Sequence, residues 1–407
     1  LEINESDLKD WLKFATMSVF TDKRKIIITC HKWLSPALEK EVVALGFTPE
    51  RTFQTGVELF GTVTDCIQLN LRLRCASQVM YSLKSFSCAD PDELHRTLRA
   101  IHWEKIIPPN GYFSVTSNVF HPTISTNLFA NLRVKDAIVD RMRDSIQRRP
   151  TSGSDLIGAV IYLFWKNDIA EIFIDTTGET LAKHNYRKLP GQAPMLEALA
   201  SATIFSTKWD KKSTFINPMC GSGTLAIEAA LIATNRVPGL LRDNYAFMHI
   251  QEFERAMYLD ERAKLDDEII EVPSLKIIAS DISEKAINIA RINAEAAGVA
   301  HLIDFEVCDF ADTTIPEGEG VVMFNPEYGE RLGDETELQS TYARIGDFLK
   351  QRCKGKNGYV FTGNLELAKS IRLKPSRRIE FFNAKIDCRL LEYEMYAGTK
   401  RTDIAAS

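Results

Sequence analysis

Four short runs in the second half of this 407-residue chain end in residues able to hold a small polar ligand. "INPMCGSGTLAIEAA" carries an apolar run to Asn217, then passes through Met219, Cys220, Gly221 and Gly223 into a helix starting near Thr224. Glycines there let the backbone pass close to a ligand, and the helix start aims amide hydrogens at it. Ala226 stands where a dinucleotide fingerprint needs its third glycine, and no Gly-Lys-Ser/Thr follows to make a P-loop. "LKIIASD" ends at Asp281, with Ile282 next and Ser283 as a helix cap. A carboxylate at such a strand tip can take both hydroxyls of a ribose, or merely share in the capping. "IDFEVCD" ends at Asp309, able to accept from an adenine amino group while Cys308 and Phe310 supply backbone and apolar contact. "VVMFNPEYGERLG" ends an apolar run at Asn325, Pro326, Glu327 and Tyr328, which alone reads as an ordinary Asn-Pro turn.

The elements that must position these residues alternate strand with helix from about residue 190 onward, the pattern of a parallel sheet covered on both faces. All four tips then fall on one carboxyl edge, where open α/β sheets bind ligands. A helical insertion near 238–273 lengthens the path from the glycine loop to Asp281 without moving that carboxylate from its strand tip. "RRIEFFNAKI" and "CRLLEYEMYAG" close the unit as an antiparallel hairpin. Before it, the chain divides into an extension over 1–23 and two small α+β units over 24–85 and 86–185. The second contains a long helix in which Leu128, Leu132, Ala137, Ile138, Met142 and Ile146 share one side. Arg133, Lys135, Arg141, Arg143, Arg148 and Arg149 populate the rest, as a solvated helix face or as a phosphate-binding surface. "LAKHNYRKLPGQAPM" brings Lys183, His184 and Arg187 before a Pro-Gly break, a plausible hinge into the last unit, 186–407.

Composition narrows the class. With 45% hydrophobic and 26% charged residues the chain is an ordinary globular protein, and no run of about twenty apolar residues marks a membrane span. The eight cysteines, Cys30, Cys66, Cys75, Cys88, Cys220, Cys308, Cys353 and Cys388, form no Cys-x-x-Cys pair or His/Cys cluster. Free thiols in a reducing cytoplasm are expected, and no metal. A net charge of −5 argues against coating nucleic acid by bulk attraction but leaves room for a local basic face.

"NPMCGSGTLAIEAA", "SDIS", "CDF" and "NPEYGERLG" resemble the successive motifs of class I S-adenosylmethionine-dependent methyltransferases that modify exocyclic amines. "GVELFGTVTDCIQLNLRLRCASQVM" and "LAKHNYRK" are similar to the ferredoxin-like unit and THUMP domain found in front of RNA-modifying enzymes. Together they resemble the bacterial guanine-N2 methyltransferases of large-subunit ribosomal RNA, over nearly the whole chain after about residue 24. In the fused bacterial version a second methyltransferase follows, which is not expected within the sequence to Ser407.

The resemblance implies a ferredoxin-like domain over 24–85, a THUMP domain over 86–185 and a Rossmann-like domain with a mostly parallel seven-stranded sheet. S-adenosylmethionine is the implied cofactor, held by Gly221 and Gly223 at its methionine part, Asp281 at its ribose and Asp309 at its adenine, with Asn217, Met219, Cys220, Thr224, Ile282, Phe310 and Asn325 around it. Asn325 and the Pro326 carbonyl would accept from the target amine, and Tyr328 would stack on the base. Arg133, Lys135, Arg141, Lys183, His184 and Arg187 are the implied RNA contacts, with ribosomal RNA or a precursor particle as partner. Two residues depart from the family pattern: Asn217 replaces an acid, and Glu327 replaces a second proline. Glu327 either faces away or reads guanine, whose adjacent N1–H and N2–H a carboxylate can accept together. A transfer RNA guanine-N2 enzyme, a DNA adenine-N6 enzyme and a non-catalytic assembly factor are the rival readings.

Overall fold

The computed structural model describes residues 18–122, 124, 126–191, 194–328 and 335–396. Most of the expected extension (residues 1–17) and the glycine-containing turn after Tyr328 (329–334) lie outside the described residues. Within them the chain forms two compact units. The first takes residues up to Cys30, Leu38–Leu181 and Arg242–Asp266; the second takes His31–Ala37, Ala182–Leu241 and the chain from Asp267 on.

In the first unit, strands β1 (Arg24–Thr29), β2 (Arg51–Phe53), β3 (Gly56–Gly61), β4 (Gln78–Ser87), β5 (Tyr112–Phe120), β6 (Thr151–Gly153), β7 (Ala159–Lys166) and β8 (Ile169–Asp175) make one sheet. Its order is β2-β3-β1-β4-β8-β7-β5-β6. The two small α+β units expected from sequence are therefore halves of one sheet, joined where β4 pairs antiparallel with β8 from Met80↔Asp175 to Ser87↔Ile169. Strands some ninety positions apart leave no local signal of such a pairing. The helix Val63–Arg72 starts at a capping box in which Thr62 and Asp65 satisfy each other's backbone amides, at 3.1 and 2.7 Å. Its buried Asn70 crosses to the other half, donating to Thr176 Oγ1 at 2.8 Å and accepting from Thr177 Oγ1 at 2.7 Å.

The long helix, Asn127–Ile146, buries Ala130, Val134, Ala137, Ile138, Val139 and Met142. Leu128 and Leu132, expected on that face, are instead 68% and 43% exposed, because the apolar stripe is phased on Ala130 and Val134. The insertion also differs from expectation, since Arg242–Asp266 packs into this first unit. Arg242 donates to the Thr177 carbonyl at 2.9 Å, Phe247 N to that of Thr176 at 3.0 Å, and Gln251 N to that of Ile106 at 2.8 Å. These bonds to backbone carbonyls make the insertion an outlying piece of the amino-terminal sheet unit.

Asp175, at the end of β8, is buried and its Oδ1 accepts from the amides of Thr177 at 2.9 Å and Gly178 at 3.3 Å. Burial pushes its carboxyl up to about 7 against those amides and the Arg242 charge. Because this lies above the unfolded value of about 4, the folded chain holds the proton more tightly. The resulting stability is present below the unfolded pKa and is lost as pH rises through the folded one. Asp175→Asn keeps the acceptor without the charge. Its stability advantage over wild type in urea unfolding should grow by about 2–4 kcal/mol between pH 5 and pH 8; parallel pH profiles would contradict this.

In the second unit, β9 (Thr214–Pro218), β10 (Ile277–Asp281), β11 (Ile303–Val307), β12 (Gly320–Phe324), β13 (Asn357–Thr362), β14 (Arg377–Asn383) and β15 (Ile386–Glu394) form a seven-stranded sheet. Its order is β11-β10-β9-β12-β13-β15-β14, with the first five strands parallel and the β14–β15 hairpin antiparallel as expected. Ile216, Val322, Phe324, Val360 and, from the helix Glu335–Arg352, Phe348 and Leu349 build the core on one face. The chain leaves β9 for β10 on one side, and β12 joins β9 on the other. This reversal opens a crevice at the carboxyl ends of the central strands.

Candidate active site

The first tip sits at the center of that crevice. After Pro218 the chain turns through left-handed residues at Met219 (φ 54°), Gly221 (φ 56°) and Gly223 (φ 81°). The two glycines do different jobs. A Cβ on Gly223 would lie 2.8 Å from the Cβ of Ala290, in the helix Glu284–Ala296, so this glycine permits close packing; a Cβ on Gly221 would meet nothing within 4 Å, so that backbone faces open space. The helix Thr224–Ala233 then begins with no side-chain cap, leaving its first amides available. Cys220 and Thr224 are buried beneath the loop, and Met219 packs on the core.

Asn217 is 1% exposed, and its amide nitrogen donates to the carbonyls of Met323 at 2.9 Å and Pro218 at 3.4 Å. With two carbonyls as neighbors the nitrogen must face them, and Oδ1 is left buried without a partner among the described residues. Asn325 Oδ1, just past the end of the adjacent β12, is a second buried acceptor without a partner among the described residues. Each such atom costs about 1–3 kcal/mol until a donor reaches it.

Asp281 organizes the second tip, accepting from Gly221 N through Oδ2 and from Ser283 N through Oδ1, both at 3.0 Å. It holds the N-cap residue of the next helix, Ser283, and fixes the glycine loop, while Ile282 beside it is 74% exposed. At the third tip Asp309 Oδ1 takes the Ala311 amide at 2.9 Å and the Arg344 guanidinium at 2.6 Å. Burial raises the Asp309 pKa, but the Arg344 and Ala311 hydrogen bonds and the Arg344 charge bring it below the ordinary value. Phe310 does not offer an open apolar face. It is buried edge-on against Phe324 and Phe348, with the Arg344 guanidinium 4.7 Å from its centroid.

At the fourth tip Pro326 is buried and Glu327 exposed. Tyr342 steadies this backbone, donating to the Glu327 carbonyl at 3.3 Å and meeting Thr362 Oγ1 at 2.8 Å. The Tyr328 ring packs edge-on against Phe361, and its hydroxyl accepts from Asn383 Nδ2 at 2.9 Å. A Cβ on Gly363 would come within 2.8 Å of that ring, so Gly363 makes room for it. Arg344, Tyr342 and Asn383 carried no signal in the sequence, since nothing marks which residues of a helix or hairpin meet a distant strand tip.

The expected RNA contacts scatter. Arg133, Lys135 and Arg141 belong to the first unit. Arg141 is held by Glu104 at 2.6 and 3.1 Å, and Arg133 by Asp92 at 2.5 Å, so neither is an idle cation. For Glu104, burial is outweighed by the Arg141 bonds and others, taking its pKa to about 2. His184 is a correction: its side chain has no exposed surface and meets Glu228 Oε1 at 2.8 Å, whose other oxygen accepts from Ser201 at 2.6 Å. It cannot touch RNA. Arg187 is a clamp, bonded to Glu197 at 3.1 Å, Ser222 at 3.1 Å and the Met195 carbonyl at 2.7 Å. Lys135 and Lys183 keep no recorded partner among the described residues, and Lys183 is exposed. Among those residues no cluster suits a metal ion, and no helix is long and apolar enough to cross a membrane.

Comparison with known proteins matches residues 184–392 to the family described as RMKL-like, methyltransferase domain. Residues 25–80 match the RlmL ferredoxin-like domain and residues 88–175 the THUMP domain. The chain is 34% identical to the ribosomal RNA large subunit methyltransferase K/L of Syntrophotalea carbinolica over 383 residues, covering 91% of this chain and 53% of that protein. It thus spans about half the length of the K/L relatives it matches. It is 31% identical over 376 residues to slr0064 of Synechocystis sp., a protein whose name proposes RNA methylation, covering 92% and 97% of the two. Among solved structures it is similar to SMU.472, determined in complex with SAH, at 25% identity and a TM-score of 0.84, covering 93% of this chain and 100% of that one. A Listeria monocytogenes chain described as a predicted N6-adenine-specific DNA methylase superposes with a TM-score of 0.82 at 29% identity, covering 92% and 97%.

Proposed function

Because the chain belongs to the family of RMKL-like methyltransferase domains, we propose that it transfers a methyl group from S-adenosylmethionine to the exocyclic N2 amine of a guanosine in large-subunit ribosomal RNA. The observation that carries this is the pair of buried, unpartnered acceptors at adjoining strand tips, Asn217 Oδ1 and Asn325 Oδ1, on the edge that also holds Gly221 and Asp281. The residues present fit the cofactor. Asp281 uses one lone pair of each oxygen on backbone amides and keeps others for ribose hydroxyls. Exposed Ile282 offers an apolar cover for adenine, and the open front of Gly221 admits the methionine part. Asp309 has one oxygen engaged and the other for the adenine amine. The departure at Asn217 agrees with its surroundings, since an acid there would press a carboxylate oxygen onto the Met323 carbonyl.

When bound, S-adenosylmethionine supplies a methyl group activated by its sulfonium. An aromatic amine is a poor nucleophile because its lone pair is delocalized into the ring. Asn325 Oδ1 and the Pro326 carbonyl hold its hydrogens and so turn the lone pair toward the methyl group. Catalysis is then positioning and electrostatics, with no covalent enzyme intermediate. The base leaves its stack to reach the strand tips, and the tethered Tyr328 ring gives it a wall.

Glu327 supports the choice of guanine. Its side chain is exposed and has no partner among the described residues, while its backbone is held by Tyr342. Glu327→Gln keeps only one acceptor for guanine's two donors and is expected to lower selection for guanine by about 5- to 100-fold, the worth of a bidentate base contact. Glu327→Pro is expected to leave an amine site with little preference. Competition between guanine- and adenine-containing RNA measures both, and unchanged preference in both variants would remove Glu327 from the reading.

The THUMP match favors RNA, whereas the name of the Listeria neighbor favors adenine in DNA. Incubation with labeled cofactor and unmodified ribosomal RNA, transfer RNA or DNA, followed by nucleoside mapping, decides between them. Label in N2-methylguanosine from large-subunit RNA is expected, offered naked or as a precursor particle. Label in adenine, or only in transfer RNA, overturns the proposal, and absence of cofactor binding in calorimetry would leave a non-catalytic assembly factor.

A further inference from the structure

The second unit contains a pocket of about 580 Å³ that includes none of the strand-tip residues among its described lining. It adjoins the fourth tip through Asn383, which lines the pocket and donates to the Tyr328 hydroxyl at 2.9 Å. Its volume is within the range of about 300–1,000 Å³ common to small-molecule sites. Met195 and Leu199 give it an apolar floor, and Phe382 an aromatic wall with the Lys32 ammonium 4.2 Å from the ring centroid. Lys183 stands at the rim, exposed and without a partner among the described residues. Glu197 is the acid in the described lining, and its charge is already engaged by the Arg187 clamp. Burial lowers the His31 pKa, leaving a lining imidazole able both to donate and to accept.

An apolar floor, an aromatic wall and ammonium groups with no carboxylate partner among the described residues match the three parts of a nucleotide: base, sugar and phosphate. We propose that this pocket holds the nucleotide next to the target in the same RNA strand, with its base against Phe382 and its phosphate at Lys183 and Lys32. The inference rests on the RNA reading above and deepens it. A base drawn out to Tyr328 strains its strand, and holding the neighboring nucleotide a side chain away fixes which base is presented. The enzyme then reads sequence context through a site separate from both cofactor and amine.

The test uses the full chain, a fluorescein-labeled single-stranded decauridylate as probe, and the variants Lys183→Glu and Phe382→Ala, with Phe382→Leu as an apolar control for folding. Each of the first two is expected to weaken decamer binding about 5- to 50-fold, by loss of a phosphate or stacking contact. Both should raise KM for ribosomal RNA while calorimetric affinity for S-adenosylhomocysteine stays unchanged. Decamer affinity within twofold of wild type in both variants, no decamer binding by wild type, or a parallel loss of cofactor affinity overturns the pocket. If wild type methylates no RNA yet the variants lose the decamer as expected, the pocket stands and the functional reading falls.

Discussion

Asn325→Ala is expected to lower kcat for RNA methylation by about 10²- to 10³-fold, the usual consequence of deleting one preorganized hydrogen-bonding group aimed at the reacting center. Asn325 Oδ1 is buried with no partner, so nothing within the described chain explains its position. A group whose desolvation is uncompensated in the free protein, and compensated when an amine hydrogen arrives, favors the reacting state over the empty one. Two further expectations separate this role from a structural one. The alanine variant should be no less stable than wild type, because removing an unsatisfied acceptor relieves a cost. Its affinity for the cofactor should stay within about threefold, since the lost contact belongs to the target amine. Single-turnover transfer to ribosomal RNA, calorimetry with S-adenosylhomocysteine and thermal melting together measure all three. A variant that loses stability and activity in proportion would make Asn325 a structural amide.

The methyltransferase unit is legible in the sequence because its information is local. β9, β10 and β12 are apolar runs and β11 an alternating edge strand, each ending in or just before one marked polar group, and parallel pairing with right-handed crossovers puts those ends on one edge. The glycine loop announces itself too, although the separate duties of Gly221 and Gly223 depend on Ala290, which is far along the chain. What escapes reading is what depends on distant partners. Arg141 looks like a free cation on a helix until Glu104 arrives from another segment, and His184 looks like part of a basic linker until Glu228 buries it. The continuous sheet through β4 and β8 and the placement of Arg242–Asp266 are matters of the same kind, set by pairings that no window of sequence contains. The helix face is a subtler case. Leu128 and Leu132 are larger than Ala130 and Val134, yet the stripe through the smaller pair is the one that is buried.

Asp281 carries the second large effect. Asp281→Ala is expected to weaken cofactor binding by about 10²- to 10³-fold, since charge-assisted hydrogen bonds contribute about 1.5–3 kcal/mol each and a ribose offers two hydroxyls. The loss has a second source in the apo chain: with the carboxylate gone, Gly221 N and Ser283 N both lose their acceptor, and the loop no longer holds its left-handed turn in place. Asp281→Asn separates the two contributions less kindly than its size suggests. Both carboxylate oxygens accept from backbone amides, so an amide nitrogen in either position would face an N–H group. The asparagine variant should therefore lose most of the affinity as well, and also show faster hydrogen exchange at Gly221. By contrast Ser283→Ala, which removes a helix-cap hydroxyl that accepts from Ala286 N at 3.3 Å, leaves the Asp281 bonds intact and should cost about 0.5–2 kcal/mol of stability with little change in affinity. Calorimetry on the three variants orders them. An Asp281→Asn protein that binds S-adenosylhomocysteine within threefold of wild type would show that Asp281 acts on the cofactor only through its charge-independent hydrogen bonds, and that the loop keeps its shape without it.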